Sequence, residues 1–190
     1  MAKRQGTRDT LTGGTKDVNP QWLNARVTLS AANTATEMTL GTPIVRVGPQ
    51  TNGKSIIMEI LKIFCQFPNV DTDAAAATTR SFQASIMTTS SGTTPAVQAL
   101  DNPRLLAFFE RNIRNAFTAA GTGILDIQGD PAVQDFTDGA GHGILVATDN
   151  LFIQANTTGQ TAAAAFNFKI LYRFKEVSLV EYIGIVQSQQ

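Results

Sequence analysis

Between Ala164 and Glu176 the chain sets Phe166, Phe168, Ile170, Tyr172 and Phe174 on alternate positions. Asn167, Lys169, Arg173 and Lys175 fall between them, and only Leu171 breaks the pattern. A period of two belongs to a β-strand with one face in a core and the other in water or against a polyanion. A helix with a period near 3.6 would scatter the same residues around its axis. This segment therefore commits the chain to a half-buried sheet.

The rest of the sequence supplies partners for that strand. Trp22 opens a strand-like region in which Arg26 to Ser30 alternates, and Glu37 to Leu40 resumes the alternation before the Gly41-Thr42-Pro43 break. Ser81 to Thr88 puts Phe82, Ala84 and Ile86 on one face. Ser55 to Phe67 is apolar on both faces: Ile57, Leu61, Ile63, Cys65 and Phe67 on one, Met58, Ile60 and Phe64 on the other. That predicts a central strand covered on both sides and ended by Pro68. Pro103 to Phe117 reads equally well as a helix capped by Asn102 or as a strand with Ala107, Phe109 and Ile113 alternating. Gly123 to Gln128, Ala132 to Thr137 and Gly143 to Gln154 read as further strands, and Val177 to Val186 as a short closing strand after a bend at Ser178. About eight strands separated by glycine, aspartate and proline turns, with no internal repeat, predict an all-β sandwich or barrel.

Length and composition bound the rest. With 190 residues, 43% of them apolar, the chain builds one domain with a full core. Only 16% are charged, against about a quarter in ordinary soluble proteins. The polar surface then comes from Thr, Ser, Asn, Gln and Gly, which points to a surface that meets other protein. The 15 basic and 15 acidic residues cancel, which excludes a chain that coats nucleic acid along its whole length. A lone cysteine, Cys65, excludes an internal disulfide. No apolar run approaches the ~18 residues that span a bilayer, so no membrane partner is expected. Residues 1–20 read as a flexible, weakly basic arm carrying Lys3, Arg4, Arg8 and Lys16 and ending at Asn19-Pro20, with one folded domain over 21–190.

No catalytic constellation is visible. The single histidine, His142, lies among glycines and has no second histidine for a metal site of ordinary type. Cys65, inside the two-sided apolar strand, is expected to be inert packing. Asp71 and Asp73 form a weak Ca²⁺ candidate, set against the plainer reading that they cap turns. Glu59, inside the central strand, needs Lys62 or an arginine across the sheet, or exposure at a seam. The chain is thus expected to be no enzyme and to need no cofactor. Lys3, Arg4, Arg8 and Lys16 on the arm, and Lys169, Arg173 and Lys175 on the polar face of the last long strand, are candidate nucleic-acid contacts. The competing reading makes them solvated charges or ion pairs.

Five segments of the C-terminal half carry a resemblance. They are Ala116-Phe117-Thr118-Ala119-Ala120-Gly121, Asp138-Gly139-Ala140-Gly141-His142-Gly143, Ala147-Thr148-Asp149-Asn150, Lys169-Ile170-Leu171-Tyr172-Arg173-Phe174 and Glu181-Tyr182-Ile183-Gly184-Ile185-Val186-Gln187. Over roughly residues 55–190 the chain resembles capsid proteins of small circular single-stranded DNA viruses, of the circovirus-like kind. That resemblance implies an eight-stranded single jelly roll of two packed four-stranded antiparallel sheets, with a flexible N-terminal arm. It also implies self-assembly into a small icosahedral shell around a single-stranded DNA genome bound without sequence specificity, and a place in the virion. The chain departs from the pattern at its N-terminus, where such proteins often carry a long Arg/Lys-rich arm. A carbohydrate-binding β-sandwich is the alternative, but it calls for exposed Trp or Tyr, and Trp22, Tyr172 and Tyr182 all lie in predicted strands.

Overall fold

A computed structural model describes residues 19–44, 54–69, 79–114 and 131–189. Among them are nine strands, β1 (Gln21–Thr28), β2 (Ala35–Gly41), β3 (Lys54–Gln66), β4 (Thr79–Met87), β5 (Leu105–Arg114), β6 (Ala132–Asp135), β7 (Ile144–Val146), β8 (Asn150–Thr158) and β9 (Ala165–Ser178). One helix follows, α1 (Leu179–Ser188). The arm, the Asp71/Asp73 pair and the predicted strand at 123–128 lie outside the described residues.

The first sheet runs β1-β9-β3, and beyond β3 lie β6 and β7 end to end, paired with Lys62–Cys65 and Met58–Ile60 respectively. The second sheet runs β2-β8-β4-β5. All pairings are antiparallel. The first strand lies beside the last, and the chain passes repeatedly between the two sheets. This is the jelly roll, two Greek keys wound into a sandwich with four lateral positions in each sheet. Between the sheets the core collects Phe166, Phe168, Ile170 and Tyr172 from β9, Phe82, Ala84 and Ile86 from β4, and Ile153 and Ala155 from β8. The alternation predicted for both β4 and β9 is thus met.

The two-sided apolar pattern of β3 has two causes. A β-bulge between Ile60 and Lys62 switches faces, so that Met58 and Ile60 before it and Ile63 and Cys65 after it all enter the core. On the outer face, Ile57 joins Ala147 and Val177 in a second cluster under Tyr182, Ile185 and Val186 of α1. Over its described residues the ambiguous segment resolves as strand β5, while 115–117 lie outside them. Asn102 does cap a turn, its Oδ1 accepting from the Arg104 N–H at 2.9 Å, but pairing with β4 takes over at Leu105.

Two predicted strands are corrected. Gly143 to Gln154 is two strands, β7 in one sheet and β8 in the other, because the chain crosses between sheets at Ala147–Asp149. Val177 to Val186 closes as helix α1 instead of a strand. Ser178 caps it and Glu181 reaches back to the Ser178 N–H at 3.0 Å, a capping box that satisfies donors at the helix start. Tyr182, Ile185, Val186 and Gln189 then share the face turned to the sheet.

Candidate functional site

The polar face of β9 divides into two regions. Toward α1 it holds a buried ion pair. Glu59 is fully buried, and its carboxylate accepts from Arg173 Nε at 2.5 Å and from the Gly143 N–H at 2.9 Å. Arg173 in turn donates to the Gly141 carbonyl at 3.2 Å. Burial pushes the Glu59 carboxyl up, but the Arg173 and Gly143 hydrogen bonds and the charges of Arg173 and Lys175 outweigh it and hold the group below its ordinary value. A Cβ on Gly143 would stand 2.1 Å from the Ile60 carbonyl oxygen, so only glycine lets this turn lie against β3. The turn itself is closed by Asp138, which accepts from the Ala140 and His142 amides and meets His142 Nδ1 at 3.0 Å. His142 is exposed there, as a turn residue.

Away from α1 no described element covers the face. Cross-strand register brings Asn24, Lys169 and Phe64 into one row and Arg26, Asn167 and Gln66 into the next. Trp22 lies beside them, 45% exposed, its indole 5.6 Å from the Phe64 ring, with Lys169 Nζ 4.5 Å from its centroid. Of the three basic residues singled out on β9, Lys169 therefore sits on the open region. Arg173 belongs to the buried pair, and Lys175 lies near Glu59 and Glu181. Lys62, next to the open region, is paired with Asp135 at 2.7 Å. Sequence reasoning put Lys169 on this face through its period of two. It missed Trp22 and Phe64, because the bulge that turns Phe64 outward leaves no local mark.

The remaining surface is rich in uncharged polar groups and apolar side chains. Over the second sheet, Glu37 gathers Ser90, Ser91 and Gln154, while Gln154 accepts from Ser85 at 3.0 Å. On α1, Leu179, Val180 and Ile183 point outward, with Val180 81% exposed. Gln189 ties the helix down: its side chain accepts from the Ala147 N–H at 3.0 Å and donates to the Leu145 carbonyl, and its own carbonyl accepts from the Thr88 hydroxyl at 2.9 Å. Cys65 is buried in the core, which pushes its thiol up to about 12, far from a nucleophile's range. Among the described residues no cluster of His, Cys, Asp and Glu is placed to hold a metal ion.

No family model matches the chain, and no curated protein matches its sequence. Solved structures do match its fold. VP1 of Trichodysplasia spinulosa-associated polyomavirus in complex with GM1 oligosaccharide is similar over 87% of this chain and 96% of that one, with a TM-score of 0.52 and 8% identity. The same VP1 with sialylated precision glycooligomers matches over 87% and 97%, at a TM-score of 0.51 and 7% identity. With no ligand named, it matches over 83% and 95%, at 0.50 and 7%. The chain has the jelly-roll fold of these polyomavirus capsid proteins.

Proposed function

We propose that the chain is a virus coat protein that closes into a small icosahedral shell around a nucleic-acid genome, in a virus of the small circular single-stranded DNA kind. The observation that carries this reading is the complete jelly roll shared with a viral VP1 over nearly the whole of both chains. The surface supports it, with Leu179, Val180, Ile183 and Val133 exposed on a protein low in charge. The mechanism is geometric. A two-sheet wedge meets its neighbours through the same patches repeated by symmetry, and closure multiplies contacts that are weak singly. No catalytic step, cofactor or membrane enters it, and the site of action is the virion. A glycan-binding role is the second reading, favoured by half-exposed Trp22 and by the glycans bound to the matching VP1 structures.

Electron microscopy and sedimentation of the purified chain test the first reading, which expects uniform closed particles. A folded protein that stays a single chain across salt and pH would overturn it. The residues before β1 are assigned to cargo and not to shell closure. Lys3, Arg4, Arg8 and Lys16 are offset by Asp9 and Asp17, and so few charges bind phosphates weakly and in a salt-sensitive way. Deleting residues 1–16 is expected to leave particle number unchanged and to lower the ultraviolet absorbance ratio of nuclease-treated particles. Loss of particles in the deletion would instead make the arm an assembly element.

A further inference from the structure

Among the described residues, the outer face of the first sheet is covered at one end only. Helix α1 lies over Ile57 and Val177, whereas the Trp22 end carries no covering element among the described residues. There a groove of about 550 Å³ runs across β1, β9 and β3, lined by Asn24, Arg26, Phe64, Gln66, Asn167 and Lys169 among others. Its described lining holds two cations, three amides, Phe64 and the core residue Phe168, and no carboxylate. Neither Arg26 nor Lys169 has a carboxylate partner among the described residues. Trp22 borders this groove with its indole half exposed, although so large an aromatic surface ordinarily gains from burial.

We infer that this groove is a stacking site for single-stranded nucleic acid, entered by a base against the Trp22–Phe64 pair. Every base has a π-face, so an aromatic platform binds an unpaired strand without reading its sequence. A duplex hides those faces within its own stack. Lys169 faces Asn24, the next outward position to Arg26 on β1, so the backbones of the two basic residues stand on diagonal positions about 7–8 Å apart, with Lys169 Nζ turned toward Trp22. Two separated positive charges with no carboxylate partner among the described residues suit successive phosphates better than the single carboxylate of a sialylated sugar or the surface of a neutral protein. Asn24, Gln66 and Asn167 supply hydrogen-bonding groups of both senses for base edges or sugar. The assignment of the ligand rests on the coat-protein reading; the geometry of the groove does not.

Trp22 is the only tryptophan of the chain, so intrinsic fluorescence reports the site directly. Full-length protein is titrated with oligodeoxythymidine, a duplex of equal length, heparin and 3'-sialyllactose, with sedimentation recorded in parallel. Saturable quenching by oligodeoxythymidine is expected, with at least about tenfold weaker binding of the duplex and no response to sialyllactose. Arg26→Gln with Lys169→Gln, both surface changes, is expected to weaken binding about tenfold or more and to lower the salt slope by about 1.4. Equal quenching by duplex or heparin would reduce the site to plain charge and overturn the stacking role. Quenching by sialyllactose would make it a glycan site, and no response to oligodeoxythymidine would remove it altogether. A spectral shift on concentrating the protein alone, with oligodeoxythymidine then excluded, would assign the face to a neighbouring subunit. Quenching without particles would leave the groove standing and remove the shell; particles without quenching would do the reverse.

Discussion

With Arg173 replaced by alanine, the protein is expected to lose about 3–5 kcal/mol of stability and most of its soluble yield. The loss comes from Glu59, which stays buried beside the Gly143 amide after its cation has gone. Denaturant midpoints measure it, and a variant melting like the parent would show that Glu59 is not buried as a charge. The pH dependence separates this cause from lost packing. In the parent, Glu59 is held below its ordinary value, so its contribution is present at neutral pH and lost as pH falls through the depressed value. In Arg173→Ala burial dominates and the carboxyl rises. The defect should then be largest at neutral pH and shrink in acid, as Glu59 takes up a proton. Glu59→Ala combined with Arg173→Ala should cost less than the two single changes added. Gly143→Ala acts on the same hub from the other side: its methyl group would meet the Ile60 carbonyl oxygen and push the 138–143 turn off β3.

Phe168→Ala is expected to cost about 3–5 kcal/mol and to abolish soluble folded protein. Phe168 is 2% exposed on the core face of β9, with the Phe109 ring of the opposite sheet 6.4 Å away, so truncation opens a cavity that two sheets would have to close. Lys169→Ala, one residue on and across the sheet, loses only an exposed contact with Trp22 and should cost at most about 1 kcal/mol. The pair is read together by circular dichroism melting. Equal effects at the two positions would show that the strand does not divide core from surface.

What could be read from the residues divides along the regularity of the backbone. β4 and β9 keep their alternation across the core, and there every second residue landed where its neighbours predicted. β3 does not, because its bulge inverts the pattern at Lys62, and the same inversion hid Phe64 as a partner of Trp22. The segment that becomes β5 is undecided locally, since its Asn102 cap is real and the partner that makes it a strand, β4, lies outside the segment, across the 88–104 connection. The helix α1 was legible and misread: Ser178 and Glu181 have capping-box spacing, yet Tyr182 to Val186 is apolar enough to pass for a strand. For Glu59 the residues leave Lys62, an arginine across the sheet or exposure at a seam, and the register selects the second with Arg173 directly opposite it, while Lys62 pairs with Asp135. Gly143 as a packing requirement emerged only once β7 lay against β3.

The adjacency of β1 and β9 also governs the order in which the chain can fold. Gln21 pairs with Tyr172, so the first strand waits for nearly the last to be synthesised, and β3 too gains one of its ladder partners only from β9. Until then both stand as unprotected sheet edges, open to pairing with strands of other nascent chains. Such distant pairing implies slow folding, set by the search for one late strand more than by local propensity. A ribosome stalled before Ala165 would therefore carry a chain unable to complete the first sheet, in which β1, β3 and the aromatic face intended for β9 remain exposed.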